Sequence, residues 1–274
     1  MSYETWMLFT TPADCTSAPF AFAWRRSEQS EEVIWAVSVQ FEKINLLRLR
    51  AGKIFEAAQS ERAEGFLLMH ACFRKAAELA ADWTEGRDLQ RLWPEISAEQ
   101  LDKASQVCLG FAHADVIARL PAVDKRARAW GALHTLLLQK PKLYDADEPA
   151  ELQRFGAGAV DDQLRVLQAG ARVFWLLDSA KGHFDVGKVE TASACAKQAV
   201  SVARAEFGHA DVAQYFDTNI LDHAAKQNGN YEYVRDKVSA SLIDFHANMC
   251  AQPVVLPTLS VPLPNVYVRI RTLS

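Results

Sequence analysis

Apolar residues recur at intervals of three and four along most of this chain, a spacing that predicts a series of amphipathic α-helices. The clearest segment is 41–58, whose apolar stripe runs from Phe41 to Ala58. Leu46 and Leu49 lie outside this stripe, so we expect this helix to have apolar neighbours on two sides and to be central to a helical body. Its charged residues are expected to reach solvent: Arg48, Arg50, Lys53 and Glu56.

Further helices are predicted between glycine and proline breakers. The inward stripe of segment 161–182 includes both Phe174 and Trp175. Ser97, followed three residues later by Gln100, forms a capping box that predicts a helix start. The stripe expected to face inward in segment 61–83 comprises Phe66, Met69, Phe73, Ala76, Ala80 and Trp83. The predicted helices cover 30–39, 41–58, 61–83, 97–120, 122–140, 161–182, 188–207 and 210–226.

Both ends of the chain depart from this helical pattern. Large rings alternate with alanine from Phe20 to Trp24, so a short strand is expected there and the N-terminal segment 1–26 is expected to be extended or β. Prolines interrupt the C-terminal tail, 248–274, which is therefore expected to lie extended along the body. Between them, 27–247 is predicted to be a helical domain. The predicted class is mostly α, built from antiparallel helical hairpins without the fixed period of a regular repeat array.

Composition and charge restrict the kind of protein. Half of the 274 residues are hydrophobic, enough for one large helical domain or two small ones. The 30 basic and 34 acidic residues leave a net charge of −4, which argues against general affinity for nucleic acid or anionic membranes. Five cysteines lie far apart without a CxxC pair, which is typical of reduced thiols in a cytosolic protein. No signal peptide and no apolar run long enough to span a bilayer are found in the sequence.

Few residues point to catalysis. Cys108 and His113 lie five residues apart in one predicted helix, but helical metal sites favour i,i+4 pairs and no second cluster supports this one. The basic residues Lys125, Arg126 and Arg128 are expected to form a solvated helix face, although as a functional patch they would bind acidic partners or lipid headgroups. We therefore expect a protein that is not an enzyme and that has no catalytic residues, no metal and no cofactor.

Short motifs occur along the chain in a definite order. They are Phe20-Ala-Phe-Ala-Trp24, Phe41-Glu42-Lys43, Glu64-Gly65, Ser97 to Leu101, Ala112-His-Ala-Asp115-Val116, Asn228-Gly-Asn-Tyr231-Glu-Tyr233 and Asp236-Lys237-Val238. In this order and at this spacing they resemble the Bro-one domain, which forms the N-terminal part of ALIX-like scaffolds of the ESCRT system. The resemblance covers roughly residues 20–265. We expect a short, divergent member, because the family's additional N-terminal strand-and-helix segment has no counterpart here.

The resemblance implies a curved, tetratricopeptide-like body that binds the amphipathic C-terminal helix of an ESCRT-III subunit on an exposed apolar patch. Carried over onto this sequence, the patch falls at Ile117, Trp130 and His134, with Leu133 and Leu137 close by. A tryptophan ringed by leucines is a suitable anchor for a partner helix, although the same stripe is equally compatible with Trp130 in the core. In the family an apolar residue stands at the position of His134, and this difference bears on the specificity for ESCRT-III.

Two tyrosines belong to the same resemblance. Tyr233 corresponds to a surface tyrosine that has a regulatory or partner-binding role in the family. In this chain Tyr231 and Tyr233 are expected to pack where the last helix ends.

The leading interpretation is a non-enzymatic adaptor that recruits a partner helix in endosomal sorting or membrane remodelling. Such a protein is expected to be cytoplasmic, with at most peripheral contact with endosomal membranes and no affinity for nucleic acid. The alternative is a structural subunit of another assembly that keeps the fold without binding ESCRT-III. A large exposed apolar area outside the predicted patch would favour this alternative.

Overall fold

The chain is mostly helical in a computed structural model. The residues that the structure describes are 22–25, 32–36, 38–57, 62–138, 159–207, 252–253 and 268–271, together with single positions between 236 and 249. Within them the helices are α1 (Val39–Ala57), α2 (Arg62–Asp82), α3 (Arg87–Leu92), α4 (Ala98–Ala118), α5 (Val123–Leu137), α6 (Ala159–Asp185) and α7 (Val189–Phe207). Two 3-10 turns, Thr84–Gly86 and Pro94–Ile96, flank α3.

Most of the predicted helices are confirmed, with ends that differ by no more than three residues. The capping box acts as expected at the start of α4, where the backbone N–H of Gln100 donates to Ser97 Oγ at 3.3 Å. The helix predicted over 30–39 is wrong, because Glu32–Ala36 forms a strand. The helix predicted over 210–226 lies outside the described residues.

A small antiparallel sheet accompanies the helices. Its strands are β1 (Phe22–Arg25), β2 (Glu32–Ala36), β3 (Gln252–Pro253) and β4 (Val268–Arg271), in the order β3-β1-β2-β4. Phe22 of β1 pairs with Ala36 of β2, so the strand at 22–25 and the strand at 32–36 form a hairpin. Trp24 is buried and donates its indole N–H to Glu42 Oε2 at 2.6 Å, which attaches the sheet to α1.

The chain divides into two compact units. Unit 1 comprises Met1–Cys108, Pro141–Val160 and Phe245–Ser274, and unit 2 comprises Leu109–Lys140 and Asp161–Asp244. In unit 1, α1 packs along α2, and the stripe predicted for 61–83 is buried throughout. The rings of Trp83 and Trp93 lie 6.4 and 5.8 Å from the ring of Phe41, centroid to centroid.

Arg48 of α1 differs from its prediction, since its side chain is fully buried in unit 1. Its Nε donates to the carbonyl oxygen of Met249 at 2.9 Å and its Nη1 to Asn45 Oδ1 at 3.0 Å. The guanidinium also lies 5.1 Å from the ring centroid of Trp93. These contacts compensate for the loss of hydration of a buried charge. Helical periodicity could not show this, because the accepting carbonyl comes from a segment remote in sequence.

Candidate functional site

The helix-binding patch predicted from the sequence lies in unit 2 and is largely buried. Trp130, Leu133 and Leu137 of α5 and Ile117 of α4 are all core residues, and Trp130 is only 4% exposed. The ring of Trp130 packs against Phe174 of α6, with centroids 4.8 Å apart. The expectation that Trp130 and its neighbours form an exposed anchor is therefore wrong, because a partner could reach this ring only by separating it from Phe174.

His134 differs from the other predicted patch residues because it is only partly buried. Its Nδ1 lies 3.2 Å from the carbonyl oxygen of Gln168 on α6 and donates to it, which leaves Nε2 as the basic nitrogen. Partial burial has the largest effect on the pKa of His134 and lowers it. The hydrogen bond to Gln168 raises this pKa, and the nearby charge of Arg172 lowers it. The imidazole is therefore neutral near physiological pH.

A different tryptophan is exposed beside His134. Trp175 of α6 lies on the stripe predicted to face inward, but it is 38% exposed, so the prediction is wrong for this residue. Its ring lies over Gly131 of α5, where an added Cβ would be 3.4 Å from Trp175 Cδ1 and Nε1. Leu138, which is 59% exposed, follows Gly131 by two helical turns, about 10 Å along the axis. We call the area formed by Gly131, His134, Leu138, Gln168, Arg172 and Trp175 the Trp175 surface.

The Trp175 surface consists of two rows of side chains, one on α5 and one on α6. Gly131, His134 and Leu138 follow one face of α5, since they are spaced by three and four residues, and Gln168, Arg172 and Trp175 follow one face of α6 in the same way. The rows are joined where Gln168 Nε2 donates to the carbonyl oxygen of Leu137 at 2.7 Å. Apolar side chains thus stand at both ends of the surface, with an imidazole and a guanidinium between them.

A buried ion pair joins the same two helices beyond Trp175. Arg126 of α5 donates from Nε and Nη2 to the two carboxylate oxygens of Asp178 on α6, at 2.8 and 2.7 Å. Its Nη1 also donates to the carbonyl oxygen of Leu120 at 3.2 Å. The prediction that Arg126 belongs to a solvated face is therefore wrong, whereas its neighbours Lys125 and Arg128 are exposed. The ion pair thus joins α5 to α6 within one helical turn of Trp175.

The thiol and imidazole considered as a catalytic or metal site are not brought together. Cys108 is fully buried, whereas His113 is exposed. Asp115 pairs instead with Arg119 at 2.6 Å. In the part of the chain that the structure describes, no group of three or more histidine, cysteine, aspartate or glutamate side chains could hold a metal ion. Burial raises the pKa of the Cys72 thiol, which disfavours the reactive thiolate.

Two further expectations from the sequence concern the tyrosines and membrane-spanning helices. Tyr231 and Tyr233 lie outside the described residues. Among the helices that are described, none combines the length and the apolar character that a membrane crossing requires.

Comparisons of the chain with protein-family models, with curated proteins and with solved structures find no match.

Proposed function

We propose that this chain is a non-enzymatic scaffold that binds an amphipathic helix of a protein partner on the Trp175 surface. The observation that carries the proposal is the exposure of Trp175 and Leu138 at opposite ends of this surface. Two apolar anchors that are two turns apart fit the i and i+7 positions of an amphipathic helix. Tryptophan is also among the residues that contribute most to binding energy at interfaces.

The Bro-one-like motifs support the same function. In that family a curved, tetratricopeptide-like body of helical hairpins binds the C-terminal helix of an ESCRT-III subunit, and we extend this architecture and this partner class to the present chain. The proposed site keeps His134 from the carried-over patch but has Trp175, rather than Trp130, as its aromatic anchor. The protein would act in the cytoplasm, with at most peripheral contact with endosomal membranes.

Fluorescence anisotropy tests the proposal with labelled C-terminal helix peptides from ESCRT-III subunits and the purified full-length chain. We expect micromolar binding that Trp175→Ala weakens about tenfold or more, since loss of a hot-spot tryptophan costs about 2 kcal/mol. Leu138→Asp is a second variant, at an exposed helix end where folding should not suffer. Leu68→Ala removes an exposed leucine from α2, outside the Trp175 surface, and should bind like the wild type.

Two results would contradict the proposal. If the wild type binds none of the peptides, an ESCRT-III helix is not its partner. If the peptides bind but Trp175→Ala and Leu138→Asp bind equally well, the site lies elsewhere. Far-UV circular dichroism of each variant separates loss of binding from loss of folding.

Exposed apolar side chains outside the Trp175 surface favour a second candidate, a structural subunit of another assembly. Leu67 and Leu68 are adjacent on α2 in unit 1, and about half of each side chain is exposed. In such an assembly a neighbouring subunit would cover them. Native mass spectrometry of complexes purified with the tagged chain distinguishes the two candidates. A complex that is lost in the Leu67→Ser/Leu68→Ser double variant and kept in Trp175→Ala would favour the structural subunit.

A further inference from the structure

The side chains between the two apolar anchors specify the partner further. We propose that the partner helix carries a carboxylate between its anchor residues, that Arg172 and His134 bind this carboxylate, and that His134 takes up a proton when the helix binds. The inference rests on the proposed function, because it assigns a partner chemistry and a pH response to the same surface.

The positions of the two basic side chains support a carboxylate between the anchor residues of the partner helix. Arg172 precedes Trp175 by three residues on α6, and His134 precedes Leu138 by four residues on α5. Both therefore lie between the apolar ends of the surface. On a partner helix with anchors at i and i+7, the residues at i+3 and i+4 face the same side. A glutamate at either position would meet the guanidinium and the imidazole.

The hydrogen-bonding capacity of Arg172 and His134 supports their binding of this carboxylate and the uptake of a proton by His134. Arg172 forms no ion pair with any residue that the structure describes. A guanidinium presents its donors in a planar fork that matches a carboxylate. His134 uses Nδ1 to donate to the Gln168 carbonyl oxygen, so its Nε2 can donate to a carboxylate only after it gains a proton. A carboxylate at this place thus supplies the charge that makes protonation favourable.

Among the described residues, few groups compete for this proton. From α6, the charge of Arg172 acts on His134, and the neutral carbonyl of Gln168 accepts its hydrogen bond. On α5 the residues one turn away on either side are not titratable. No titratable side chain of α4 is among the groups that shift the pKa of His134. The free protein therefore holds the imidazole next to a cation and to no described anion.

The direction of the pH response follows from these surroundings. Burial and Arg172 lower the pKa of His134 in the free protein. A partner carboxylate stabilises the imidazolium and raises this pKa in the complex. Over the interval between the two pKa values the complex holds more protons than the free protein. Affinity should therefore increase as the pH falls through the pKa of the complex and level off below the pKa of the free protein.

Isothermal titration calorimetry of the full-length chain tests the inference with two designed helical peptides of about 18 residues, five turns of helix. Both have leucine at positions i and i+7; one has glutamate and the other glutamine at i+3 and i+4. We expect the glutamate peptide to bind about tenfold more tightly. Its affinity should rise roughly threefold to tenfold from about pH 7.5 to about pH 5.5. Arg172→Gln should remove the preference for glutamate, and His134→Gln should remove the pH dependence.

Other results would overturn the inference in distinguishable ways. Equal, pH-independent binding of the two peptides would refute the proposed carboxylate and the proposed proton uptake. It would not contradict the helix-binding function. A pH dependence that persists in His134→Gln would place the proton on another group. If neither peptide binds the wild type, the inference and the proposed function of the surface both fail. Leu68→Ala serves as the control, with wild-type affinity and pH dependence expected.

Discussion

The buried ion pair between Arg126 and Asp178 joins α5 to α6, so its removal tests the description of unit 2. The Asp178 side chain is 0% exposed and accepts two hydrogen bonds from the guanidinium, at 2.7 and 2.8 Å. Arg126→Met keeps most of the apolar stem but removes the cation. The variant therefore leaves a buried carboxylate without its counter-charge.

The expected loss can be estimated from the burial of the two partners. Removing one member of a buried pair costs about 3–5 kcal/mol. Because the Arg126 side chain is 21% exposed, water can partly solvate the site, and we expect the lower end, about 3 kcal/mol. Replacing both partners, in Arg126→Met/Asp178→Leu, removes the unpaired charge and should restore most of the stability. The coupling energy of this double-mutant cycle should be about 2 kcal/mol or more.

Urea unfolding followed by far-UV circular dichroism measures these differences. A loss of 3 kcal/mol should lower the unfolding midpoint by about 1 M or more. Arg128→Met is the matched control, because Arg128 pairs with Asp124 at a similar distance, 2.7 Å, but the side chains are 80% and 62% exposed. This exposed pair should contribute little to stability, because water solvates both charges. Equal losses in Arg126→Met and Arg128→Met would refute the reasoning. If Arg126→Met does not fold at all, recovery of folding in the double variant decides the question.

Three further predictions concern the same pair of helices. Trp130→Phe should change the free energy of unfolding by less than about 1 kcal/mol, because it removes a buried indole N–H that has no hydrogen-bond partner among the described residues. A loss above about 3 kcal/mol in urea unfolding would contradict this expectation. Gly131→Ala should raise the free energy of unfolding by up to about 1 kcal/mol, since alanine favours the helix and its Cβ would meet Trp175 at an ordinary contact distance. A lower thermal midpoint would contradict that contact. Arg172→Gln should raise the pKa of His134 towards its ordinary value, because it removes a nearby positive charge. An unchanged pKa in an NMR titration of the imidazole would show that the two side chains are not close.

The helices could be predicted because each buries a continuous stripe, and the stripe is visible as a repeat of three and four residues. Strand β2 was missed because segment 30–39 is too short to distinguish the two periods. Val33-Ile34-Trp35, a run of β-branched and aromatic residues, was the local signal for a strand. What makes this segment a strand is its pairing with β1 on one side and with β4, from the far end of the chain, on the other.

The sequence could not predict which of the two tryptophans, Trp130 or Trp175, is exposed. Phe174 and Trp175 are neighbours on α6, so their side chains point about 100° apart and meet α5 at different residues, Trp130 and Gly131. The sequence does not decide which of them turns inward. In the structure Phe174 packs against Trp130, and this contact buries one tryptophan and leaves Trp175 exposed. Arg126 was misjudged for a similar reason, because its partner Asp178 is distant in sequence.

The most direct test of the central claim is to measure the binding of ESCRT-III C-terminal helix peptides to Trp175→Ala and to Trp130→Phe in parallel. If the exposed tryptophan anchors the partner helix, Trp175→Ala loses about tenfold or more in affinity while Trp130→Phe binds like the wild type. The reverse result, with affinity lost in a folded Trp130→Phe and kept in Trp175→Ala, would contradict the account and place the binding site at the buried ring.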